Sequence, residues 1–192
     1  MEWEPQVSTS IHIPGASVSF SKTRWNGVAA ALSHFYHESV GRHQIEQLFE
    51  KRHNDIRKLI NGLDKTTEKA VSGRTELLEQ LRQQLAVLFR MKERVIYSKL
   101  RTFGDEELDR LVTRHCEEHR IFEEWLNEIG QVDPTDPLWR ARFEILRDSL
   151  ERYLHREDSR TLRLVDALLT EQQKLSLKAD LRKEEEGISA TV

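Results

Sequence analysis

The chain has 192 residues, enough for one domain with its own core, and carries 30 basic against 33 acidic side chains for a net charge of −3. Those charges are interspersed without a basic stripe, which argues against nucleic acid as a partner. With 33% charged residues but only 8 Gly and 4 Pro, the composition disfavours a β-sandwich and suits long helices that face water.

Cys116 is the sole cysteine, so no intrachain disulfide can form and a disulfide scaffold is excluded. The opening MEWEPQVSTS lacks the basic start and apolar run of a signal peptide, and no stretch approaches 18 consecutive apolar residues. A cytoplasmic protein that does not span a membrane is the expectation.

Residues 1 to 22 read as an extended strap or tail, with short alternation in IHIPGASVSF. The segment WNGVAAALSHFYHESV, from Trp25 to Val40, predicts a short helix ended near Gly41. The first long helix is predicted from His43 to Leu63, with Ile45, Phe49, Ile56, Ile60 and Leu63 on its apolar face. A second begins at Thr66 or Thr75 and runs to Thr102 along the seam Leu78, Leu81, Leu85, Phe89, Glu93, Ile96, Leu100. Gly104 suits a helix C′ position, and Asp105 follows as N-cap with Glu106 and Glu107 in the next first turn. The third helix steps through Leu108, Val112, His115, His119, Phe122, Leu126 and Ile129 and closes at Gly130. QVDPTDP then offers Asp136 as N-cap and Pro137 at the first helical position. The fourth helix continues Trp139, Phe143, Leu146, Leu150, Tyr153, Glu157, Thr161 or Arg160, Leu164, Leu168. The segment KADLRKEEEGISATV is charged and predicted to fray. Short connections between long helices favour antiparallel neighbours, hence an all-α, up-down four-helix bundle over residues 43–176, with an N-terminal extension (1–42) and a charged tail (177–192).

All four core helices carry a polar intruder in phase with their apolar residues: His53, Glu93, the pair His115 and His119, and Glu157. A buried polar group without a partner costs a few kcal/mol, and a buried charge more. Such groups facing one core are explained if they satisfy each other or share a metal. Imidazole and carboxylate suit non-haem iron, manganese or zinc, and residues four apart on a helix share a face, so His115 and His119 can act together.

RHNDI around His53, MKERVIYSKL around Glu93, RHCEEHRIFEEWL around His115 and His119, and YLHREDSRTL around Glu157 and Asp158 resemble the hemerythrin-like family of HHE cation-binding domains over residues 43 to 170. The resemblance implies a four-helix bundle whose core binds two irons through His and carboxylates. It implies roles in oxygen binding, in oxygen or nitric oxide sensing, in iron handling, or in repair of iron–sulfur centres. By the same resemblance His53 is the first-helix ligand, Glu93 a bridging carboxylate and His119 a third-helix ligand. His115 extends the set, and Glu157 or Asp158 is the second bridging carboxylate. Two family histidines are missing, because Phe89 stands four before Glu93 and Tyr153 four before Glu157.

Two readings follow. One is a non-haem iron protein, with manganese or zinc as alternatives and one or two ions, that senses or handles oxygen, nitric oxide or iron. Oxidoreductase chemistry at its open coordination positions is a variant of it. The other is a degenerate, metal-free helical bundle acting as a protein interaction module. A protein partner and a homo-oligomer stay open in both. Cys116 reads as an inert thiol and His34, His37 and Glu38 as an exposed polar face, while His155 has no assigned role. The pair Glu50 and His53 lacks the second Glu-x2-His of ferritin-like di-iron bundles. No phosphate loop, nucleophile elbow or dinucleotide fingerprint occurs.

Overall fold

A computed structural model describes residues 11–13, 16–18 and 44–189. The chain divides into two units, Met1–Gly41 and Arg42–Val192. In the first, strands β1 (Ile11–Ile13) and β2 (Ala16–Val18) pair antiparallel, with Ile11 opposite Val18 and Ile13 opposite Ala16. The helix expected over Trp25 to Val40, with His34, His37 and Glu38, lies outside the described residues.

The second unit is the predicted up-down helical bundle. Its first rod is α1 (Gln44–Asp64). The second runs α2 (Val71–Met91), a π-helical turn π1 (Lys92–Tyr97) and the short α3 (Ser98–Arg101). The third rod is α4 (Glu106–Gly130). The fourth runs α5 (Pro137–Arg156), a second π turn π2 (Glu157–Thr161) and α6 (Leu162–Leu168). Each rod packs on the next in sequence, and the fourth closes on the first. Among the described residues no helix is long and apolar enough to cross a membrane.

The predicted stops and starts hold for chemical reasons. Gly104 adopts φ +63°, the left-handed conformation that ends a helix cheaply only without a Cβ. Asp105 then caps α4, its carboxylate accepting from the backbone N–H groups of Glu107 and Leu108. Asp136 caps α5 the same way at Leu138, with Pro137 just inside. All seven seam residues predicted for the third rod are buried.

Three expectations change. On the second rod Glu93 is not in the seam: Lys92 is fully buried there, and the Glu93 side chain is 41% exposed. In the fourth rod the buried positions after Glu157 are Thr161, Leu162, Val165, Asp166 and Leu169, so Leu164 leaves the seam and Leu168 is only partly buried against the core. A π turn holds one more residue than an α turn, and π2 moves the phase along by one. The segment expected to fray is instead α7 (Glu171–Ser189), which packs on the first two rods through Leu177, Leu181 and Ile188. Arg90 and Arg94 of the second rod meet Glu184, and Arg52 of α1 pairs with Glu185.

Candidate metal centre

The polar intruders occupy one level of the bundle, where both π turns lie. His53 sits on α1, wholly inaccessible, with Phe49 one turn away. Its Nδ1 lies 2.5 Å from Asp158 Oδ1, and Arg57 holds the other Asp158 oxygen at 2.6 Å. Burial, helped by the nearby Lys92 charge, pushes the His53 pKa below its ordinary value against the pull of Asp158. Burial thus favours the neutral ring. With Nδ1–H donating to Asp158, Nε2 keeps a free lone pair, and that buried atom has no hydrogen-bond partner among the described residues.

α4 places His115 and His119 one turn apart, both buried. His119 repeats the His53 arrangement: Nδ1 is 2.6 Å from Glu93 Oε1, and Nε2 accepts from the Tyr153 hydroxyl at 2.7 Å. Burial lowers its pKa despite the Glu93 bond. Phe89 stacks on the His119 ring at 3.9 Å between centroids, and Phe122 lines the same wall. His115 Nδ1 lies 3.1 Å from both the Tyr97 hydroxyl and Glu157 Oε1.

Lys92 and Glu157 stand at the centre. Lys92 Nζ donates to Glu157 Oε2 at 2.6 Å and to the Tyr153 hydroxyl at 3.2 Å, and lies over the faces of Phe49 and Tyr153. Burial alone would raise the Glu157 carboxyl, but Lys92 and His115 hold it far below the usual carboxylate range. Burial lowers the Lys92 pKa, and Glu157 opposes that shift. Desolvation keeps the Tyr97 and Tyr153 phenols protonated, well above their ordinary range. One hydrogen-bonded string thus leads from half-exposed Glu93 through His119, Tyr153 and Lys92 to buried Glu157, whose other oxygen faces His115 without a hydrogen bond.

Of the predicted donors, His53, His115, His119 and Glu157 are buried together, whereas Glu93 serves from the rim as the partner of His119. Burial and the Glu93 charge also raise the pKa values of Cys116 and Glu123, so that rim is acidic. Glu157, not Asp158, is the inward carboxylate, and Asp158 orients His53. Glu50 and His155 are exposed. Sequence reasoning missed Lys92 and Tyr97. Lys92 was findable as the residue four after Leu88 on the same face, as Glu157 is four after Tyr153. The second-rod counterparts of Tyr153 and Glu157 are therefore Leu88 and Lys92.

Among the described residues no three His, Cys, Asp or Glu side chains already stand as a metal shell, because the inward atoms are joined through Tyr97, Tyr153 and Lys92. The donor types nonetheless fit one ion with nitrogen and oxygen preference: His53 Nε2 is free, His119 Nε2 is held only by a phenol, and Glu157 is an anion. They do not fit two, since an ammonium stands where a second bridging carboxylate is needed.

Residues 44–165 match the family described as the hemerythrin HHE cation binding domain. No curated protein and no solved structure matches the chain.

Proposed function

The chain belongs to the hemerythrin HHE cation-binding domain family, and on that premise we propose that it binds a single non-haem metal ion in the bundle core. Iron is the first expectation, with manganese or zinc as alternatives. The role we propose is oxygen or nitric oxide sensing, or iron and redox handling.

The observation that carries this reading is the buried, unpartnered Nε2 of His53, whose other nitrogen is anchored to Asp158. A carboxylate behind one imidazole nitrogen, with the other turned inward, is how metal-binding histidines are oriented. His119 with Glu93 repeats the arrangement. His53, His119 and Glu157 would hold the ion, with His115 behind Glu157. A bound ion supplies Lewis acidity and open positions for a small diatomic ligand. The chain's own groups do the rest. Asp158 and Arg57 fix the His53 ring and Glu93 fixes His119, while the Tyr153 hydroxyl, which occupies His119 Nε2 without an ion, would have to yield that lone pair to the metal. Phe49, Phe89 and Phe122 keep bulk water out.

Anaerobic loading with Fe2+ followed by metal analysis tests the reading. A single tightly held ion in the wild type, lost in both His53→Ala and Glu157→Gln, is expected. Metal uptake that those two substitutions leave unchanged would sink it.

A specific observation also favours the metal-free interaction module: the Lys92–Glu157 pair leaves the centre electrically neutral with no ion. On that reading His119→Leu leaves stability unchanged or raises it. On the metal reading it abolishes uptake and lowers the melting temperature of the loaded protein.

A further inference from the structure

The strongest unexplained feature of the core is an ammonium with no access to water. Lysine usually snorkels, keeping its head in solvent while its stem covers apolar surface. Lys92 does not, since none of it is accessible. Its head meets the Glu157 carboxylate, the Tyr153 hydroxyl and two aromatic faces, which is the environment of a desolvated cation. The other carboxylates at this level are engaged elsewhere, Asp158 by His53 and Arg57 and Glu93 by His119. Among the described residues Glu157 is therefore the carboxylate that Lys92 meets, on Oε2, while His115 Nδ1 lies 3.1 Å from Oε1. Lys92 and Glu157 come from different rods, and each is the first residue of a π turn. The backbone thus treats the two positions alike, while the side chains carry opposite charges.

We propose that Lys92 is the resident cation of this centre: its ammonium neutralises Glu157 so that the bundle closes without a bound ion, and an entering metal ion must displace it from that carboxylate. The first half stands on the ion pair alone, and the second rests on the cation-binding reading above. A divalent ion that shares Glu157 with Lys92 meets like-charge repulsion in a poorly screened interior. Lys92 accordingly sets both the metal-free stability of the bundle and the ceiling on its metal affinity.

The test uses the full chain, stripped with a chelator and titrated with Co2+ under nitrogen, in wild-type and Lys92→Met forms. Chelator-treated wild type is expected to melt cooperatively. Chelator-treated Lys92→Met is expected to melt lower, to bind Co2+ at least about tenfold more tightly than wild type, and to regain its melting temperature on binding. If Lys92→Met does not fold without metal, its folding upon Co2+ addition supports the proposal equally, and Lys92→Gln supplies a second neutral variant. A folded Lys92→Met that binds Co2+ no more tightly than wild type overturns the proposal. So does a chelated wild type without a cooperative melt, or failure of both neutral variants to fold even in excess Co2+. The two readings fail separately. Wild type that takes up no Co2+ beside a variant that does removes the single-ion function and leaves Lys92 as resident cation. Wild type and variant binding equally well removes only the latter.

Discussion

Lys92 and Glu157 face each other from the second and fourth rods at 2.6 Å, both at the start of a π turn and both sealed from solvent. Moving two charges out of water is expensive, so such a pair adds little net stability, yet removing one partner strands the other. Glu157→Gln in the metal-free protein is expected to cost about 3 kcal/mol or more. Replacing both partners, as Lys92→Met with Glu157→Leu, is expected to restore most of that loss. Urea denaturation of Lys92→Met, Glu157→Leu and the double measures the coupling. Additive losses would mean that the pair does not act as a unit.

Tyr153 is the junction of the string, its hydroxyl donating to His119 and accepting from Lys92. Tyr153→Phe keeps the ring that packs against Phe89 and Phe122 but leaves two buried groups short of a partner. A loss of about 1–3 kcal/mol is expected in chemical denaturation. A neutral result would show that these bonds are replaced when the hydroxyl is removed.

At the far end of α1, Asp64 receives Arg147 at 2.6 Å and Arg140 at 2.8 Å, which ties the first rod to the fourth. Arg147 foremost lowers the Asp64 carboxyl below its ordinary value of 3.8. A depressed carboxylate contributes stability that is present above the unfolded value and lost as pH falls through the folded one. The stability gap between wild type and Asp64→Asn is therefore expected at neutral pH and should close in acid. The site is partly exposed, so the gap is below about 1 kcal/mol. Thermal melts of the two proteins from neutral to acid pH check the sign, and a gap that widens in acid would contradict it.

The docking of α7 is tested by Leu181→Ala. That side chain is 3% exposed, and a buried leucine reduced to alanine costs about 2–5 kcal/mol. If α7 melts independently of the bundle, the main transition will not move.

The third rod was fully legible because Leu108, Val112, His115, His119, Phe122, Leu126 and Ile129 keep an undistorted helical rhythm. Gly104, Asp105, Asp136 and Pro137 were legible because their backbone chemistry is local. The second rod was misread because Leu88 and Phe89 are both buried: counting four from Phe89 lands on Glu93, whereas the inward residue is Lys92, four after Leu88. The fourth was misread where its π turn inserts a residue, so that counting from Glu157 lands on Leu164. Lys92 was passed over for a further reason, since lysine is among the residues least often fully buried. In α7 the charges of KADLRKEEEG conceal the narrow stripe of Leu177, Leu181 and Ile188, whose value appears only once another helix covers it. The inward histidines were visible from their phase, but the tyrosines that satisfy them were not, because those pairings join residues 18 and 34 positions apart.

The two wide turns also separate main-chain shape from electrical sign. One socket carries a positive head and the other a negative one, yet the backbone opens alike around both. The sign at each position is set instead by what its side chain reaches, the Tyr153 hydroxyl and the Phe49 face for one and the His115 ring for the other, so main-chain geometry alone does not decide which charge the bundle encloses.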